Sequence, residues 1–354
     1  MASERVAVVG GGIFGVTAAL RLAQAGYATE LFEKEPDLLR GASAINQYRL
    51  HRGYHYPRSL STLLSCKDSE PRFCREYPET IIEGNAHYYA IAKRRSLTAP
   101  EVFLDTLRGA GLEYQEAWLP GLRSDAVSLC VQVKEKLYDA DLLRAVCWNR
   151  IKKYKVRVHL NRVAHDGALR AFDHVIVATY SLLNQLLAQH TAWQRDYQYE
   201  VCEKPVLRLP PALRDHSVVI MDGPFTCIDP KGYSDLSVMG HVVHAIHASN
   251  VGRFPLVPPA LALLLNRGII PHPPVTHLDK FLDAAQEFFN GFHGVEHVGS
   301  MFTVRTVLPG MDATDERPTL VEALGDRHIL LFSGKVSTCV DAADEVLRLV
   351  RRGH

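Results

Sequence analysis

Three glycines near the start of the chain, Gly10, Gly12 and Gly15, stand at the spacing GxGxxG. Each answers a need of phosphate binding. The first permits a tight turn, the second lets backbone approach a pyrophosphate, and the third lets a helix pack closely on a strand. The phosphate then meets unpaired N–H groups at the helix N-terminus, to which Ile13 and Phe14 belong. Glu33 follows Gly15 by 18 residues, where a carboxylate can accept hydrogen bonds from ribose hydroxyls. These residues predict a dinucleotide site. FAD and NAD both use such a turn, so the turn alone does not choose between them.

Other reactive residues point away from the commoner chemistries. His51 and His55 are four apart, a spacing that on a helix would offer two metal ligands. Gly53 and Pro57 argue against a helix there, and no third ligand is evident. His241, His244 and His247, read as one strand, would put His244 on the opposite face from the other two, so three-fold ligation fails. No metal site is expected. HExxH and GxSxG are absent, which removes the usual metalloprotease and esterase readings. The seven cysteines are an odd set with no CxxC pair, so buried thiols in a reducing compartment are expected rather than disulfides.

The elements that would hold the glycine turn are legible. Val6-Ala7-Val8-Val9 is an apolar run suited to a buried parallel strand, Val16 to Ala25 follow at helical spacing, and Gly26 stops that helix. Ala28 to Phe32 form a second strand, which completes a βαβ unit. Further on, helices are expected at 60–78, 100–110, 139–150, 181–189, 278–291 and 341–351. Strands are expected at 86–92, 156–160, 174–179 and 329–332, and short alternating strands with turns from 197 to 250. The Pro-rich stretch 255–275 reads as a loop with a short helix, a candidate lid governing substrate size.

Composition narrows the class of protein. Lys and Arg number 40 against 39 Asp and Glu, a net charge of +1, so no basic excess exists to displace phosphate counterions from nucleic acid. At 47% hydrophobic and 22% charged, the 354 residues are those of an ordinary globular protein, long enough for about two domains. Residues 1–5 are too short and polar for a signal peptide, and no apolar run reaches the roughly 18 residues of a spanning helix. A cytoplasmic protein acting on a small molecule is expected, without nucleic acid and without a membrane span.

Four segments, in this order, share a pattern: the unit through Glu33-Lys34; the loop Gly41-Ala42-Ser43-Ala44-Ile45-Asn46-Gln47-Tyr48-Arg49-Leu50-His51-Arg52-Gly53-Tyr54-His55-Tyr56-Pro57-Arg58-Ser59; Asn161-Arg162-Val163 with Val175 to Thr179; and Phe332-Ser333-Gly334-Lys335-Val336-Ser337-Thr338. In this the chain resembles the D-amino-acid-oxidase-like superfamily of FAD oxidoreductases, which includes glycine and sarcosine oxidases and L-2-hydroxyglutarate dehydrogenases. The resemblance implies an α/β fold in which a Rossmann-like FAD-binding domain (1–65, 140–195 and 300–354) is interleaved with an antiparallel-sheet α+β substrate domain (66–139 and 196–299). It implies FAD contacts from Gly10, Gly12, Ile13, Phe14, Gly15, Glu33 and Lys34, and from Ala42, Ser43, Asn46, Gln47 and Arg49. On the adenine side it adds Val163, Ala178 and Thr179, and beside the flavin ring Gly334, Lys335, Val336 and Ser337.

By the same resemblance, residues 46–58 run near the flavin ring, making Arg49, His51 and His55 candidates for catalysis. Arg49 or His51 would stabilise the anionic reduced flavin. Arg305 is the candidate carboxylate-binding arginine, since a planar guanidinium takes a carboxylate in a fork. Arg317 is expected in a solvated ion pair. Some members of the superfamily attach FAD through a cysteine; the corresponding stretch here has none and Cys339 lies beyond it, so non-covalent FAD is expected. The leading expectation is hydride transfer from the carbon of a C–N bond beside a carboxylate to flavin N5, with oxygen or another acceptor reoxidising the flavin. Dehydrogenation of a 2-hydroxy acid, with His51 or His55 as base, is the alternative, and a flavin-binding partner without turnover is a third.

Overall fold

A computed structural model describes residues 4–292, 294–311 and 313–353; the first three residues of the polar start lie outside the described residues. The chain builds the expected βαβ unit first: β1 (Arg5–Val9), α1 (Ile13–Gln24) and β2 (Ala28–Phe32), with Val8 level with Leu31. This pair lies inside a six-stranded sheet, ordered 320–324, 328–332, 174–177, β1, β2, 157–159. All neighbours are parallel except the 320–324/328–332 pair. A strand flanked on both edges and covered on both faces must be apolar throughout, which is why Val6-Ala7-Val8-Val9 and His174-Val175-Ile176-Val177 are buried without alternation. The helix α1 is buried from Ile13 to Leu20 because the sheet lies under it and the helix Cys339–Arg352 lies alongside.

A second, nine-stranded sheet runs 246–252, 197–208, 237–241, 226–230, 216–221, 86–92, 127–133, 114–116, with 296–307 paired along 197–208. It is antiparallel apart from the 216–221/86–92 pair. A small sheet of 49–50, 136–138 and 81–82 carries Arg49 between the two.

The structure departs from the sequence reading at several elements. Residues 300–307, expected with the FAD-binding segments, belong to a twelve-residue strand, Glu296–Val307, of the nine-stranded sheet. Main-chain bridges from Leu265 and Ile270 cover its other edge, so it is buried and lacks the alternation that marks a half-exposed strand. The region from 197 opens with another twelve-residue strand rather than a short one. The expected helix at 181–189 is one 3₁₀ turn and four α-helical residues, Leu183–Leu186. His241, His244 and His247 do not share a strand, because 242–245 form a turn between two strands. Their separation therefore comes from the turn and not from strand alternation. The Pro-rich stretch is a loop with a four-residue helix, Pro259–Ala262. All seven cysteines are free thiols, and among the described residues no helix is long and apolar enough to cross a membrane.

Candidate active site

The glycine turn lies at the C-terminal end of β1, between β2 and the strand 174–177. Gly10 has φ +111°, and a Cβ there would come within 2.4 Å of the Ala178 carbonyl oxygen. Gly15 packs so tightly that a Cβ would sit 1.9 Å from the Gly10 oxygen. At Gly12 a Cβ would meet only the Ser43 Oγ, at 3.3 Å, so that glycine keeps space open for something other than protein. Ser43 accepts a hydrogen bond from the Ile13 N–H at 2.9 Å, the first turn of α1, and so stands where an anion would be received. Glu33 accepts from the N–H groups of Gly11 (2.5 Å) and Glu35 (2.8 Å). Burial pushes its carboxyl above the usual range, although those two N–H groups pull the other way.

A cavity of about 800 Å³ opens from this turn and runs between the two large sheets. All the sequence-identified residues line it except three. Gly15 lies beneath the turn, Ser337 is buried at the start of the C-terminal helix, and His55 stands behind His51, their rings 5.2 Å apart. The loop 41–48 is braced from within: Asn46 Nδ2 donates to the Ala42 carbonyl at 2.8 Å and to the Tyr138 hydroxyl at 2.7 Å. Val163 and Asp166 line one end, following Arg162, whose N–H bonds to the Glu33 carbonyl oxygen at 2.8 Å.

The other end is built of buried charge. Arg49 donates through Nε to Asp229 at 2.5 Å and lies 3.5 Å from Glu135, with both carboxylates buried. Glu135 also accepts from the Tyr89 hydroxyl (2.7 Å) and the Arg52 N–H (3.0 Å). Burial raises the Glu135 carboxyl, but His51 and Arg49 beside it outweigh that, and it titrates well below the usual carboxylate range. His51 places Nδ1 3.6 Å from Glu135; burial, helped by the Lys335 charge, pushes its imidazole down to about 4. Burial also depresses His55, with His51 and Lys335 adding to the effect. The Lys335 ammonium lies 4.7 Å over the Tyr56 ring and has no ion-pair partner among the described residues; burial alone pushes it down to about 8.

Two arginines are already paired within the chain. Arg305 lines the cavity, but its Nε and Nη2 are both engaged by Glu200, which is buried and further fixed by Gln198 Nε2 at 2.8 Å. It is therefore not an unpaired fork awaiting a carboxylate. Arg317 pairs with Asp315 as expected, yet the pair is largely buried, with side chains 15% and 25% exposed, so it is not a solvated surface bridge.

The sequence reading missed Lys204, Glu135 and Asp229. Lys204 lines the cavity beside Cys202, and Asp229 and Glu135 hold Arg49. The alternation Gln198, Glu200, Cys202, Lys204 along one face of a strand was the available signal for Lys204. Glu135 lies at a bend between two strands and had none.

These residues can hold a flavin dinucleotide. The turn leaves room at Gly12, and Gln47 Nε2, Thr179 Oγ1 and both terminal nitrogens of Arg49 are buried without a hydrogen-bond partner among the described residues. Buried donors of this kind are costly unless a ligand accepts from them. The fold and cavity are those of a flavoprotein oxidoreductase. Residues 5–335 match the family model described as FAD dependent oxidoreductase (DAO), and the chain belongs to that family. Its cofactor is FAD. It is 28% identical, over 99% of its length and 87% of the relative, to the FAD-dependent monooxygenase kojA of Aspergillus flavus. Among solved structures it is similar to glycine oxidase from Geobacillus kaustophilus (TM-score 0.74, 18% identity, covering 99% of this chain and 95% of the other). It is likewise similar to FAD-bound L-α-glycerophosphate oxidase from Mycoplasma pneumoniae (TM-score 0.73, 14% identity, 99% and 95%). A blocked pocket, which a flavin-binding protein without turnover would have, is not what the cavity presents, since Arg49 and His51 both line it.

Proposed function

We propose that this FAD-dependent oxidoreductase dehydrogenates a carbon bearing a hydroxyl group, with His51 as the base. One observation carries this reading: an imidazole held neutral, lining the cavity and backed by the buried carboxylate of Glu135. FAD, when bound, supplies the two-electron acceptor. The chain's own residues supply the rest. With Nδ1 turned to Glu135, His51 keeps Nε2 for the hydroxyl proton of the substrate. As that proton arrives, the Glu135 carboxylate stabilises the imidazolium. Arg49 is held by Asp229 through Nε and faces Glu135 through Nη1, and its terminal nitrogens, which make no hydrogen bond among the described residues, offer donors to negative charge developing at the reacting end of the cavity. Loss of the C–H hydride and the O–H proton leaves a carbonyl product. Arg305, engaged by Glu200, gives little support to the amino-acid reading in which it would grip the substrate carboxylate.

The test is anaerobic reduction of the flavin by two substrate panels. Hydroxy acids and other secondary alcohols are expected to bleach the flavin absorbance, and matched amino acids are not. Bleaching by amines alone would replace this reading with C–N oxidation.

A further inference from the structure

Asp166, His190 and His328 are 24 to 162 residues apart in sequence, yet they meet at the Glu33 end of the cavity, where Asp166 itself lines the wall. Asp166 opens the short helix 166–169, His190 precedes the 3₁₀ turn 191–193, and His328 begins a buried strand of the six-stranded sheet. Asp166 Oδ1 lies 3.7 Å from His328 Nε2 and 3.9 Å from His190 Nε2, and all three ligand atoms lie within 4.8 Å of one another. These separations are too long for hydrogen bonds. The two Asp166 separations exceed by a few tenths of an ångström the roughly 3.4 Å edge of a tetrahedron built on metal–ligand bonds of about 2.1 Å.

The surroundings hold both rings in place. His190 stacks on Trp193 at 4.3 Å, and the His328 ring lies 5.4 Å from the same indole. Trp193 fits because residue 325 is glycine: a Cβ there would come within 2.9 Å of the indole. His190 Nε2 is buried and has no hydrogen-bond partner among the described residues, although it is aimed at the carboxylate. Two imidazoles and one carboxylate form a ligand set that suits a divalent transition metal, and a cation between them would give His190 Nε2 the partner it lacks among the described residues.

We propose that Asp166, His190 and His328 form a binding site for a divalent transition metal ion, of which Zn²⁺ suits the ligand set best, with a fourth position left for water. The ion would tie three separate segments together beside the Glu33 end of the cavity. Its role is structural, and the proposal is independent of the reaction assigned to His51.

The test uses the FAD-loaded protein. Purified in Zn²⁺-containing buffer and passed through gel filtration, wild type is expected to retain one zinc per chain by elemental analysis. Co²⁺ added to the metal-stripped holoenzyme is expected to give d–d absorption beyond the flavin bands. His190→Ala, on the more exposed segment, and Asp166→Asn are expected to weaken binding by at least roughly a hundredfold, with FAD content retained. Zinc absent from wild type, or held equally by wild type and both variants, overturns the site. Should a variant fail to fold, the wild-type Co²⁺ spectrum still decides: a spectrum with no bound-metal band contradicts the proposal.

Discussion

At the scale of single residues, function turns on which charges are already paired. Arg305 has the residue type for gripping a carboxylate, but Glu200 is its partner; Lys335 has none among the described residues and stands exposed to the cavity instead. His51 titrates near 4 and Lys335 near 8. A reaction that needs neutral His51 and cationic Lys335 should therefore show kcat/KM falling below about pH 4 and above about pH 8; Lys335→Met should lower the rate throughout, abolish the alkaline limb and, by removing a charge that holds His51 down, move the acid limb to higher pH. The same shifts act on stability. Unfolded lysine holds its proton to about 10.5, so between pH 8 and 10.5 the unfolded chain binds more protons at this position and the folded state gains stability as pH rises. For His51 the corresponding window is pH 4 to 6.5, where stability is lost as pH falls. Melting of the apoprotein across both windows, in wild type and Lys335→Met, checks the signs: the variant should be the more stable at pH 7, and the gap should close toward pH 10.5.

Among the elements, the glycine turn makes the sharpest expectation, because its three positions fail differently. Gly15→Ala drives a methyl into the Gly10 carbonyl and should prevent the turn from forming, measured as loss of soluble folded protein. Gly12→Ala meets only Ser43, so the protein should fold and melt nearly as wild type but lose FAD affinity, read by flavin release on dilution. The Pro-rich stretch is anchored to the nine-stranded sheet. Asn266 within it donates its N–H to the Phe302 carbonyl, and just past its end Thr276 and His277 both donate to Glu203. Glu203 is fully buried and also accepts from His247 and Ser300, so Glu203→Ala should cost about 3 kcal/mol or more, seen in chemical denaturation. The first βαβ unit and the loop 41–59 were legible because local pattern dictates them: an unbroken apolar strand, glycines at fixed offsets, a polar loop. The strand 296–307, Glu135 and the cluster of Asp166, His190 and His328 were not. Each gains its meaning from partners far along the chain, Glu200 opposite Arg305 or His328 opposite Asp166, and no window of sequence contains both.

For the whole molecule, a net charge of +1 leaves no long-range field to draw in an anionic cofactor or substrate. Attraction is local, made by the first turn of α1 at one end of the cavity and by Arg49, Lys204 and Lys335 at the other. The chain crosses repeatedly between the six- and nine-stranded sheets, so the cavity walls come from segments spread from Val9 to Val336. We propose on that basis that the FAD-binding and substrate domains are each discontinuous, and that FAD is held without a covalent bond; acid precipitation should release all the flavin into the supernatant. The central claim, a hydroxyl-bearing substrate deprotonated by His51, is tested most directly by single-turnover flavin reduction in wild type and His51→Gln. With a substrate deuterated at the reacting carbon, wild type should show a primary isotope effect. His51→Gln should keep its FAD and slow reduction by roughly 10²–10⁴-fold. Reduction of His51→Gln at the wild-type rate, with its FAD bound, would contradict the account.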